Sequence, residues 1–202
     1  MGTKKPHQRM SDSKWVSITA IMTALALVGN YALVAIPNLE LGSTILFVTA
    51  YIFGPVMAIW ATLIMSILFG VINPWGGFIP QIWMSQVIGW LYIITIGTIM
   101  GRRGVDGKRL EPRKVELVIT GAFVTFIFDQ ITNLGYSATF GVPFFLAIAA
   151  AIPFSVIHII SNAVIFSQVV PILDKALTKQ LKDLIWSTES EVRVEMLESS
   201  IH

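Results

Sequence analysis

Two polar clusters interrupt the apolar part of this chain, and their residue types suit ligand capture or proton handling. The first is FDQITNLG, residues 128–135, in which Asp129 and Asn133 are four apart and share one helix face. The second is HIISN, residues 158–162, in which His158 and Asn162 do the same. Apart from Glu116 at the start of the 115–134 span, Asp129 is the only acid inside an apolar span, and no lysine or arginine lies in those spans. An isolated carboxylate is costly there, so Asp129 requires a partner: His158, an amide, a ligand or water. Two readings stay open. The four residues form a knot pinning one helix to another, or they line a ligand site. Asp129 and Asn133 fit the second better because they lie near the outer end of their helix.

A third stretch, NPWGGFIPQIWMSQVIGW, residues 73–90, is dense in indoles and amides. Trp75 falls in a turn and Trp83 one turn into the helix that follows, with Gln86 three residues on. That arrangement suits an aromatic wall for a flat, partly apolar ligand. Interface anchoring is the alternative for every tryptophan, and for Trp15 and Trp186 it is the better one; Trp90 is read the same way without preference. Asn30, Tyr31 and Asn38 are weaker site candidates. There is no HExxH, G-x-S-x-G or Walker A motif and no cysteine. No catalytic residue, metal site or cofactor is therefore expected, and no nucleic-acid partner.

The elements that must position these groups are membrane helices. Of 202 residues, 54% are hydrophobic and only 13% charged, where a soluble domain has about a quarter charged. Mean hydropathy is +0.73. Apolar segments fill most of residues 15–173, room for about six crossings of some 20 residues each. The expected class is an all-α integral membrane protein, a six-helix bundle. The helices are expected over 15–36, 44–53, 56–72, 80–100, 115–134 and 144–173, the last kinked at Pro153. A polar arm (1–14) precedes this membrane domain (15–173), and a tail (174–202) follows it. The tail is expected to begin with an interfacial amphipathic helix, residues 174–186, and to end in an acidic disordered segment.

All fourteen lysines and arginines fall in three clusters: residues 4–14, residues 102–114 and residues 175–193. Basic residues mark the cytoplasmic side, so both termini and the central loop are expected inside. The 37–43, 73–79 and 135–143 turns are then outside. Small residues at a spacing of four, Ala20 with Ala24 and Gly97 with Gly101, allow another helix to approach closely. They serve internal packing or a docking partner.

The whole membrane portion resembles the substrate-binding S components of energy-coupling factor (ECF) vitamin transporters. The resemblance rests on the Ala20-xxx-Ala24 pattern, PNLELGSTILFVTAYIFGPVMA, the tryptophan-rich hairpin, FDQITNLG and HIISNA. It implies six helices with both termini inside and a vitamin site near the outer face. It also implies docking onto a transmembrane coupling subunit driven by two cytoplasmic ATPase subunits. Carried onto this sequence, Ala20 and Ala24 become docking positions. Trp75, Trp83, Gln86, Asp129 and Asn133 become substrate-binding candidates, beside His158 and Asn162 from the residue reading. The Pro-Trp turn and Pro-Gln start of the next helix are most similar to a subgroup in which some members are associated with cobalamin. Cobalamin is thus the favoured cargo, with riboflavin or thiamine next. The alternative is a proton- or ion-coupled secondary carrier using Asp129 and His158, and a third reading is a membrane enzyme or assembly factor.

Overall fold

A computed structural model describes residues 11–73, 76–105 and 108–180. Six helices follow in chain order: α1 (Asp12–Tyr31), α2 (Gly42–Phe53), α3 (Pro55–Val71), α4 (Pro80–Gly101), α5 (Lys114–Phe140) and α6 (Phe144–Gln180). The basic loop between α4 and α5 adds a two-residue antiparallel ladder, β1 (Gly104–Val105) with β2 (Lys108–Arg109). Beside it, Arg103 pairs with Glu116 at the start of α5.

Helix α2 is the axis of the bundle. Its sequence, GSTILFVTAYIF, is apolar on every side, which calls for burial all round, and all twelve of its residues are buried. It is about 18 Å long, too short to cross a hydrocarbon layer of about 30 Å. Helices α1, α3, α4 and α6 surround it. The α2–α3 reversal uses Gly54 at φ 89°, a conformation that glycine adopts without strain, and Pro55 opens α3.

The close fit of α4 on α2 explains one small-residue pair. A Cβ on Gly97 would lie 2.7 Å from the Phe47 carbonyl oxygen, and one on Gly101 would collide with the carbonyl of Tyr51. Gly97 and Gly101 are therefore internal packing residues. Because the obstacle is backbone, Gly101→Leu is expected to destabilise the protein by about 1–3 kcal/mol or more. Thermal unfolding in detergent measures this, and an unchanged melting temperature would contradict the packing account.

Three helices, α4, α5 and α6, are long and apolar enough to cross a membrane. Their outward faces are apolar: Ile119, Phe123 and Phe126 on α5 and Ile157, Ile160 and Val164 on α6 are all exposed, as a lipid-facing surface requires.

Several boundaries differ from expectation. Helix α1 stops at Tyr31, not Ile36. Pro37 disfavours helical geometry at the residue before it, and the chain turns back so that Leu41 N–H donates to the Gly29 carbonyl at 3.1 Å. Helix α5 continues to Phe140. Gly135 is a close-approach site against Ser85 of α4, and the helix ends at Gly141, φ 68°. Helix α6 runs as one element through Pro153 and Pro171 to Gln180, as membrane helices permit where neighbours satisfy the freed carbonyls. Residues 174–180 are thus the end of α6 rather than the start of a separate interfacial helix; the remainder of that expected helix lies outside the described residues.

Candidate functional site

The site begins with the segment between α1 and α2. After Tyr31 the chain makes successive turns, with Asn38 at φ 58°, a region that asparagine tolerates better than most residues. These turns bring Glu40 to the start of α2. One carboxylate oxygen, Oε2, accepts the Ser43 N–H at 2.8 Å, a favourable position for an anion at a helix N-terminus. The other, Oε1, faces inward, 3.7 Å from Nε2 of His158. That is too long for a hydrogen bond. Neither atom has a hydrogen-bond partner among the described residues.

On the far side of the imidazole, Nδ1 lies 2.7 Å from Asp129 Oδ1. Asp129 and His158 are both 5% exposed. With Asp129 ionised, Nδ1 carries the proton and donates it. His158 is thereby fixed by α5 and turns its other nitrogen towards Glu40. Burial pushes the Glu40 carboxyl up, but the neighbouring imidazole and the Ser43 N–H outweigh it and hold the group below its ordinary value.

These groups border a cavity of about 240 Å³. Aromatic rings follow one another along it: Tyr31 with Phe69 (centroids 5.4 Å apart), Phe69 with Trp90 (6.4 Å), Trp90 with Phe128 (5.7 Å) and Phe128 with His158 (6.0 Å). Trp90 is fixed by its indole N–H, which donates to Ser43 Oγ at 3.1 Å. Phe128 lies against Gly89, where a Cβ would collide with its ring. Asn30, Asn38, Glu40, Ser43, Asn73 and Gln86 add polar edges, and Val34, Ile36 and Leu39 close the side formed by the α1–α2 turns. An apolar wall with a few convergent polar groups is the usual make-up of a small-molecule site.

The expected residues distribute unevenly about this cavity. Gln86 and His158 line it. Asp129 sits behind His158 and acts on the cavity through it. Asn162, 1% exposed, lies one turn further along α6, where its backbone carbonyl meets Gly121 of α5; it belongs to the α5–α6 contact. Asn133 is half-buried and is not in the lining. Trp83 shares a helix face with Gln86 and Trp90 but lies nearer the start of α4. There it packs on Phe78 at 5.9 Å and over Gly70 of α3, so it clasps α3 to α4 outside the lining. Trp75 lies outside the described residues.

Sequence reasoning missed Glu40, Ser43, Phe69 and Phe128 and did not select Trp90. In the sequence Glu40 is an acid in the 37–43 turn, and acidic residues weigh little in topology. Its position three residues before Ser43 at a helix start was the available sign. Trp90 had one too, since it is seven residues beyond Trp83 and four beyond Gln86, on the same face.

The sequence model of the family described as ECF-type riboflavin transporter, S component, matches residues 10–183. The chain belongs to this family. No significant match was found among curated proteins or among solved structures. An S component is the substrate-capture subunit of a vitamin transporter and works with ECF transmembrane and ATPase modules. The resemblance read from the sequence is thus correct, and the chain is a transporter subunit of a non-enzymatic family. The preference for cobalamin has no support in this match, whose description names riboflavin.

Proposed function

We propose that this S component captures riboflavin in the cavity lined by α1 to α6 and the α1–α2 turns and presents it for ATP-driven uptake. The observation that carries the reading is the cavity itself. It has an aromatic wall of Phe69, Trp90 and Phe128 for a flat heteroaromatic ring system, and amide, hydroxyl and carboxylate groups for a polyhydroxyl chain. Its volume is just under the range of about 300–1,000 Å³ typical of drug-sized sites. A corrinoid, with its macrocycle and nucleotide arm, is several times too large. The family description points to the same vitamin.

The three basic clusters support an arrangement with both termini and the 102–114 loop in the cytoplasm. The cavity then opens towards the outside, where cargo arrives. Ala20 and Ala24 are exposed on α1 and serve as the docking face for the transmembrane coupling subunit. Asp129 holds His158 in place, and family membership weighs against an ion-coupled carrier built on that pair.

Titration of the purified protein with riboflavin tests the reading. Stacking on Trp90 is expected to quench flavin fluorescence saturably at one ligand per protein, with Kd below about 1 μM. Absence of saturable binding, with cobalamin or thiamine binding instead, would overturn it.

A further inference from the structure

The cavity is lined by one carboxylate, Glu40, and one imidazole, His158, with no lysine or arginine among its described lining residues. The sequence makes the deficit general, because no basic residue occurs over 15–101 or 115–174. Helix geometry gives the distances along each element at 1.5 Å per residue. Arg102 is about 18 Å along α4 from Trp90, and Lys114 about 21 Å along α5 from Phe128. Lys14 is about 24 Å along α1 from Asn30, and Lys175 about 25 Å along α6 from His158. Each distance lies far beyond the roughly 4 Å reach of an ion pair.

Among the described lining residues only His158 can carry positive charge, and it is already flanked by Asp129 at 2.7 Å and Glu40 at 3.7 Å. With both carboxylates ionised the trio is net negative whichever form the imidazole takes. An incoming phosphate monoester, carrying roughly −1.5 to −2 at neutral pH, would meet Glu40 with no lysine or arginine among the described lining residues to pair with it.

Resting on the reading of this cavity as the flavin site, we infer that Glu40, with Asp129 behind His158, makes it selective for the uncharged vitamin and excludes its phosphate ester. Discrimination of this kind comes from a repulsive element rather than from better contacts to the favoured ligand. The same Glu40 oxygen that repels phosphate is free to accept a hydroxyl hydrogen from the neutral polyol chain, since it has no hydrogen-bond partner among the described residues. The substrate must then reach the transporter dephosphorylated. A phosphatase-type hydrolysis has to precede uptake wherever the phosphorylated form is the one available.

The test is a set of titrations of the full-length protein in detergent with riboflavin, riboflavin 5′-phosphate and the uncharged riboflavin 5′-acetate. Riboflavin and the acetate are expected to bind comparably and the phosphate about 100-fold more weakly, the scale of a like-charge clash in a closed site. Glu40→Gln, which keeps the side chain's shape, is expected to bind riboflavin and to narrow the gap to about 10-fold. Phosphate binding within about threefold of riboflavin would overturn the inference and leave the flavin assignment standing. Equal rejection of the acetate would replace charge selection by size exclusion. An unchanged gap in Glu40→Gln would remove Glu40 as the determinant. Failure of all three ligands to bind would instead overturn the flavin reading on which the inference rests.

Discussion

Trp90→Ala is expected to weaken riboflavin binding by about 100-fold or more, the scale reached by aromatic anchors at the centre of a binding site. The indole is 4% exposed and stands between Phe69 and Phe128, with centroids 6.4 and 5.7 Å away. Removing it takes away the central part of the aromatic wall. It also leaves Ser43 Oγ without the N–H that donates to it at 3.1 Å, and Ser43 is the residue whose own N–H holds Glu40. The truncation is therefore felt on both the apolar and the polar side of the cavity. Large-to-small changes of a buried tryptophan cost about 3–5 kcal/mol of stability, so the variant needs a thermal melt beside the titration. Trp90→Phe separates the contributions. It retains a ring but loses the hydrogen bond, and its binding is expected to fall by about tenfold. A folded Trp90→Ala protein that binds riboflavin like the parent would show that the vitamin binds elsewhere.

Ala20→Trp with Ala24→Trp is expected to abolish vitamin uptake by the assembled transporter while leaving riboflavin binding to the isolated subunit unchanged. Both alanines are exposed, and Ser17 and Val28 extend the same face of α1. The opposite face holds Met22, Thr23 and Ala26 in the core. A bulky side chain at 20 or 24 therefore meets nothing within the subunit, and stability is expected to change by no more than about 0.5 kcal/mol. Small residues on such a stripe let a partner backbone approach closely, and two indoles would hold it away. The stripe is also distant from the cavity, since Ala24 precedes Asn30 by more than one helical turn. Co-purification with the coupling subunit and uptake into cells together measure the effect. Undiminished uptake would assign docking to another face.

The membrane class was legible because it depends on quantities that tertiary structure does not alter. The share of apolar residues, the absence of lysine and arginine from the spans and their collection into three clusters are all properties of the chain itself. Helix existence was equally legible. Each apolar run was bounded by a turn signal, such as Gly54-Pro55 or the Pro80 start of α4, and these signals hold in the structure. The boundary errors share a cause. Gly135 and Asp174 carry the glycine and the charge that often mark helix ends. In the structure Gly135 makes room for Ser85, and Asp174 is buried within α6.

The Asp129–His158 contact illustrates the middle ground. The lack of any lysine or arginine in the spans makes His158 a candidate partner from sequence alone, and the two are joined at 2.7 Å. What Asn162 and Trp83 do was not legible in the same way. Their helix faces were known, but the depth at which each face meets the cavity was not. One turn along α6 moves Asn162 out of the lining, and two turns along α4 separate Trp83 from Trp90.

By itself, then, the sequence determined a helical membrane protein with basic residues zoned into three clusters, its family and the need of Asp129 for a partner, with His158 among the candidates. These follow from local periodicity and from the cost of unpaired charge in hydrocarbon. Only the tertiary structure decided that α2 is the buried axis, because a short apolar helix reads alike whether protein or lipid surrounds it. Only the tertiary structure brought Glu40, more than a hundred residues from His158 in the chain, to within 3.7 Å of it. That approach depends on how the turns between α1 and α2 fold back over the helix ends, and no periodicity in the sequence records it.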